Sequence, residues 1–221
     1  MTFSALRASA LTSIALAVAV YVAMLVGYLQ HWCWLSSSDS RALQWGYDIG
    51  STHPGWVWWW NGVSTVFEPA LLRAVAMVAT VVAVLRHRWR SAIFLLAAVE
   101  TSGMLTTVAK NSVGRPRPST ALVAATSTSF PSGHALGVMA AVSAFLVLML
   151  PRLGRTARVV AVAAGVVVVG SVGVSRVALN VHHPSDVLAG WALGWAYVMM
   201  WAVIVQPWRT RREPRRAARG V

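Results

Sequence analysis

Charge is scarce in this chain. Only 11% of its 221 residues are Asp, Glu, Lys or Arg, against about 25% in an ordinary soluble domain, and 57% are hydrophobic. That balance excludes a water-solvated globule and places the chain in a bilayer. Acidic residues number six, too few to build the oxygen-rich cages that hold paired divalent metals. Cysteine is nearly absent. Cys33 stands alone, so an internal disulfide is impossible and the residue reads as a small buried or interfacial apolar group. Lysine is rarer than chance suggests, since Lys110 is the one lysine among nineteen basic residues. The net charge of +13 does not indicate a nucleic-acid partner, because the arginines sit in short clusters between apolar runs rather than over one water-facing surface.

What is present in quantity is apolar runs of membrane-crossing length. They cover about Ala10 to Leu29, Pro69 to Leu85, Ser91 to Ala109, Ala135 to Leu150, Val159 to Val177 and Val187 to Val205. Each approaches the roughly 20 residues that cross about 30 Å of hydrocarbon. The first follows Arg7 and lacks a small-residue cleavage site, so it reads as a retained helix rather than a removed signal peptide. The expected fold is therefore all-α, a polytopic membrane protein with six transmembrane helices. Residues 1–208 form the membrane domain and 209–221 a basic tail.

Basic residues give the orientation. Arg86, Arg88 and Arg90 lie between spans two and three; Arg152, Arg155 and Arg158 between four and five; the tail holds Arg209, Arg211, Arg212, Arg215, Arg216 and Arg219. The positive-inside rule puts these in the cytoplasm, with both termini. The loops Gln30 to Glu68, Lys110 to His134 and Ala178 to Asp186 then face outward across the cytoplasmic membrane. The first of them holds Trp45, Trp56, Trp58, Trp59 and Trp60, the pattern of one or two short helices lying at headgroup depth. The tail reads as a lipid-touching, topology-fixing extension.

Three polar strings interrupt the apolar chain, all at outer helix ends or in outer loops. The first runs from Lys110 through Arg115 to Arg117-Pro118. Three cations that break the positive-inside pattern need an anionic partner, and phosphate suits both guanidinium forks and an ammonium. The second is Pro131-Ser132-Gly133-His134 before span four. A serine hydroxyl and glycine-exposed amides at a helix N-terminus form an anion cup, with His134 at its rim. The third is Ser175-Arg176, five residues, His182, three residues, Asp186. If Asp186 opens span six, its carboxylate lies one turn from His182, placed to accept from Nδ1–H and aim Nε2 as a nucleophile or base.

Together these ordered strings resemble the type 2 phosphatidic-acid phosphatase superfamily, which includes membrane lipid phosphate phosphatases and soluble vanadium haloperoxidases. The resemblance covers roughly the second half of the chain. It implies that Lys110, Arg117, Arg176, Ser132 and the Gly133 amide bind phosphate, and that His182, oriented by Asp186, attacks phosphorus to form a phosphohistidine. It implies that His134 protonates the leaving oxygen and then activates water, with no metal and no cofactor. The expected partner is a membrane lipid substrate in the bilayer, by family analogy a polyprenyl (undecaprenyl or decaprenyl) diphosphate; phosphatidate and phosphatidylglycerol phosphate are the alternatives, and vanadate-dependent halide oxidation a more distant one. Its motif spacing selects His182 over His183, which is left as a loop residue. Asn180 shapes the loop. Glu100 in span three is expected to pair with Arg73 in span two, since either charge alone is costly in lipid. No signal indicates an oligomeric state.

Overall fold

The computed structural model describes residues 3–208, with side chains from Arg7 onward; the tail at 209–221, to which lipid contact was assigned, lies outside the described residues. Among the described residues there is no strand. The helices are α1 (Phe3–Leu29), α2 (Cys33–Gly50), α3 (Pro54–Val66), α4 (Pro69–Leu85), α5 (Trp89–Leu95), α6 (Ser102–Val113), α7 (Gly133–Met149), α8 (Arg155–Ala178) and α9 (Pro184–Val205). A π-helical turn, Leu96–Glu100, joins α5 to α6. Proline begins α3, α4 and α9, where its missing N–H costs nothing and its fixed φ suits the first turn. Gly114, at φ 67°, ends α6 in the left-handed conformation that glycine adopts freely. Arg115-Pro116-Arg117-Pro118 then prevents any new helix from starting.

Six helical stretches are long and apolar enough to cross a membrane: Arg7–Leu29, Pro54–Leu85, Trp89–Val113, Gly133–Arg152, Arg155–Ala178 and Pro184–Val205. The second takes in α3 as well as α4, whose bounds, Pro69–Leu85, are those that the apolar run indicated. Its 32 residues would run about 48 Å if straight, more than the hydrocarbon thickness, and it is broken at Phe67 and Glu68 between α3 and α4. Trp56, Trp58, Trp59 and Trp60 thus lie on α3, a short helix that packs along α8. The Trp56 indole donates to the Ala178 carbonyl at 3.1 Å. The two short helices expected of this region are α2 and α3, and α2 buries Leu35, Asp39, Gly46 and Gly50 on one face. Cys33, at its start, is a free, exposed thiol.

The helices pack through small residues, as membrane helices do when lipid offers no hydrophobic incentive to associate. A Cβ on Gly190 would lie 2.6 Å from the Ser132 carbonyl oxygen, and one on Gly194 would lie 2.7 Å from that of Leu136. The backbones of α7 and α9 therefore touch, and α1 covers the opposite side of α9. Large apolar side chains such as Val159, Val166, Val167 and Leu16 point outward. At one end of the bundle Arg90 donates to the Val205 carbonyl at 3.1 Å, and Arg86, Arg88 and Arg152 line one cleft. This basic end is opposite the end where α6 and α8 finish and α7 and α9 begin, and the polar strings meet there.

Candidate active site

Asp186, in the first turn of α9, is fully buried and collects donors from several elements. Arg115 Nη1 donates to its Oδ1 at 2.7 Å. Ser129 Oγ donates to Oδ2 at 2.5 Å, and the His183 backbone N–H donates to the same oxygen at 2.8 Å. Its backbone carbonyl accepts from Ser132 N at 2.9 Å, which fixes the start of α7 against the start of α9. Ser132 in turn caps α7, its Oγ accepting from Ala135 N at 3.4 Å. A buried carboxylate is tolerable only with such partners.

His182 lies in the short turn between α8 and α9, 1% exposed, its backbone N–H bonded to the Arg176 carbonyl at 3.2 Å. Asn180 makes that turn possible at φ 56°, a conformation asparagine accepts more readily than most residues. Arg117 Nη1 lies 3.1 Å from His182 Nε2. A guanidinium can only donate, so Nε2 carries the lone pair and the ring proton sits on Nδ1. Nδ1 faces Ser129 Oγ at 3.4 Å and Asp186 Oδ2 at 3.6 Å. The expected direct bond from His182 to Asp186 is thus long, and Ser129 bridges the two. Oδ2 is closer to His183 Nδ1, at 3.1 Å, because His183 is the N-cap of α9 in a reciprocal capping box with Asp186. Burial pushes the His182 pKa down to about 3, with Asp186 opposing and Arg117 and Arg176 reinforcing the shift. Its imidazole is therefore neutral at physiological pH.

The cations divide into two groups. Arg115 makes two ion pairs, to Asp186 at 2.7 Å and to Asp39 at 2.9 Å, and lies 4.5 Å over the Tyr28 ring. Lys110, Arg117 and Arg176 make none within 4.0 Å among the described residues. Lys110 donates to the Thr128 carbonyl, Arg117 to the carbonyls of Ser127 at 2.6 Å and Val181 at 2.7 Å, and Arg176 to Ser64 Oγ. The Arg176 Nε is buried without a partner. Gly133 sits against the Lys110 stem, where a Cβ would lie 3.7 Å from Cε. His134 lines the same cavity as Lys110, within electrostatic reach of Arg176, His182, Arg117 and Lys110. Every residue singled out in the three polar strings is therefore at one end of the bundle. Of these cations Arg115 alone finds its anion among the described residues, so the sequence expectation that it faces an external one is corrected.

A family model for the PAP2 superfamily matches residues 91–211, more than half of the chain. The chain belongs to the PAP2 superfamily. It is 42% identical over 113 residues to phosphatidylglycerophosphatase B of Bacillus subtilis, covering 49% of this chain and 55% of that protein. It is 34% identical over 122 residues to a lipid A 1-phosphatase of Rhizobium etli, covering 50% and 49%. The chain thus spans about half the length of the curated relatives it matches. A crystal structure of a transmembrane PAP2-type phosphatidylglycerolphosphate phosphatase from Bacillus subtilis superposes with TM-score 0.74 at 26% identity, over 89% of this chain and 98% of that one.

Much of what steadies this PAP2 site escaped the sequence reading. Asp39 comes from α2, outside the matched segment, and is 3% exposed. It accepts from Arg115 Nη2 at 2.9 Å, Ser185 Oγ at 2.6 Å and Ser185 N at 3.0 Å. Ser129, one residue before Phe130, and Ser64 on α3 were not singled out. The expected Arg73–Glu100 pair does not close: the two interact electrostatically, but no N–O contact of 4.0 Å or less joins them, and Glu100 Oε1 is buried without a hydrogen-bond partner.

Asp39→Ala leaves Arg115 buried with one carboxylate instead of two, and is expected to cost about 3–5 kcal/mol. Asp48→Ala, on the exposed side of the same helix, should stay within about 0.5 kcal/mol. Thermal unfolding in detergent that showed equal effects would contradict the clamp. A pH dependence follows from His182. Between about pH 3 and the ordinary histidine value near 6.5, the unfolded chain binds a proton there and the folded chain does not. Folding stability should therefore fall as pH drops through this window, by up to about 1.4 kcal/mol per pH unit. The slope should flatten in His182→Gln; identical slopes would show that the imidazole titrates alike in both states.

Proposed function

We propose that this chain is a membrane lipid-phosphate phosphatase that works through a phosphohistidine at His182. The observation that carries this reading is a neutral imidazole whose lone pair on Nε2 faces Arg117 at 3.1 Å, among three cations that no carboxylate among the described residues pairs with. A phosphoryl group entering here displaces the Arg117–Nε2 contact, taking the guanidinium onto its oxygens and exposing the nucleophile. Lys110 and Arg176 contribute further charge, and the Ser132 hydroxyl and Gly133 amide complete the cradle. Such fixed donors stabilise the charge that develops on the equatorial oxygens in the transition state.

In the first step Nε2 forms a bond to phosphorus as the bond from phosphorus to the lipid oxygen breaks. The lipid phosphate enters as its monoanion, and His134 passes that proton to the leaving oxygen. In the second step the neutral His134 takes a proton from water. The resulting hydroxide attacks phosphorus, the P–N bond breaks, and inorganic phosphate leaves. The chain's own cations supply the charge stabilisation, so the reaction is expected to proceed with chelator present.

The relatives' names, phosphatidylglycerophosphatase B and lipid A 1-phosphatase, support a lipid phosphomonoester such as phosphatidylglycerol phosphate. They lend no support to the polyprenyl diphosphate favoured from sequence. The basic loops gathered at the opposite end of the bundle favour placing the site on the outer face of the cytoplasmic membrane.

The test is phosphate release by the detergent-purified protein in chelator, with phosphatidylglycerol phosphate, phosphatidate and polyprenyl diphosphate as substrates. Release should fall at least about 10³-fold in His182→Ala and persist in intact spheroplasts given a short-chain, membrane-impermeant substrate outside. Release unchanged in His182→Ala would exclude the mechanism, and release only after lysis would reverse the orientation.

A further inference from the structure

A cavity of about 730 Å³ descends from the phosphate cradle between α4 and α6. Lys110, Gly133 and His134 line its outer part, and Arg73, Gly103 and Met104 line it deeper in the bundle. Gly103 and Lys110 are seven residues apart on α6, so the Gly103 level lies about 10 Å further from the outer surface. A guanidinium at that depth is costly without a partner. Arg73 nonetheless lies across Gly103, where a Cβ would be 3.2 Å from Nη1, and the missing side chain is what lets the guanidinium border the cavity. Glu100, one turn away, attracts it without reaching contact, and Glu68 places a carboxylate at the exposed mouth. No hydrogen-bond partner fixes the Arg73 guanidinium among the described residues.

On the phosphatase reading above, we infer that Arg73 forms a second anion subsite, which takes the phosphodiester of a glycerolipid whose scissile phosphomonoester lies one glycerol unit away. Spacing selects this ligand. A Cβ on Gly133 would lie 3.1 Å from Thr106 Cγ2, so the cradle begins at the Thr106 level, three residues from Gly103. Between that level and Lys110, the cradle is about 5–10 Å from the guanidinium. Two phosphorus atoms joined through a glycerol are separated by six bonds, roughly 7 Å when extended, whereas those of a diphosphate share one oxygen and sit roughly 3 Å apart. A diphosphate therefore fits wholly within the cradle and cannot reach Arg73. A phosphatidate has no second phosphate to offer it.

The subsite is tested by binding, in a protein that cannot turn over. His182→Ala and His182→Ala/Arg73→Gln are titrated in detergent with dioleoyl phosphatidylglycerol phosphate, dioleoyl phosphatidate and farnesyl diphosphate, and lipid retention is read by native mass spectrometry. Arg73→Gln should weaken phosphatidylglycerol phosphate at least about tenfold, about 1.4 kcal/mol, and change the other two less than about twofold. Arg73→Lys should restore most of the loss, which guards against misfolding as the cause. Equal weakening of all three lipids, or of none, would overturn the subsite. So would a loss of the same size in Glu100→Gln, since Arg73 would then act through an internal pair. Absence of phosphate release by the wild type with this binding pattern intact would refute the phosphatase reading and leave the subsite standing.

Discussion

A fully buried carboxylate must be satisfied on both oxygens, and at Asp186 that requirement draws the architecture together. Arg115 from the loop after α6 takes one oxygen, while Ser129 and the N-cap His183 take the other. The backbone carbonyl of the same residue receives the amide that begins α7. Arg115 extends the connection to Asp39 on α2 and, through the Tyr28 ring, to α1. Four segments remote in sequence therefore meet around one charge. The close α7–α9 backbone contact that Gly190 and Gly194 allow brings the two helix N-termini near enough to share it.

That arrangement separates structural charge from working charge. Arg115 is neutralised by two carboxylates and held in place. Lys110, Arg117 and Arg176 are held by carbonyls and a hydroxyl, which fix their geometry without cancelling their charge. A preorganised cluster of that kind attracts an anion and does not have to reorganise when negative charge builds up on it. The buried His182 beside these cations stays neutral chiefly because burial disfavours its charged form, with Arg117 and Arg176 adding to the shift.

The six crossings and the three polar strings were legible because each leaves a local mark: a run of apolar residues near 20 long, or a break in such a run. The second crossing has the bounds its apolar run gave, Pro69–Leu85, and the Trp-rich segment before it is the short helix its aromatic pattern indicated, Pro54–Val66. Asp39 and Arg115 lie 76 residues apart, and no periodicity joins an acidic residue on an interfacial helix to an arginine in a proline-rich loop. The Arg73–Glu100 pairing failed for a different reason. Charge economy favours a pair, but the π-helical turn ending at Glu100 and the space over Gly103 let the two side chains diverge.

The central claim is that phosphoryl transfer passes through His182, and the most direct measurement is to trap it. The wild type, mixed with lipid labelled with ³²P at its terminal phosphate and quenched in alkali within milliseconds, should carry a base-stable, acid-labile label that maps to the peptide containing His182 and is absent from His182→Ala. Phosphate release that continues with no protein-bound label, or a label found on another residue, would contradict the account.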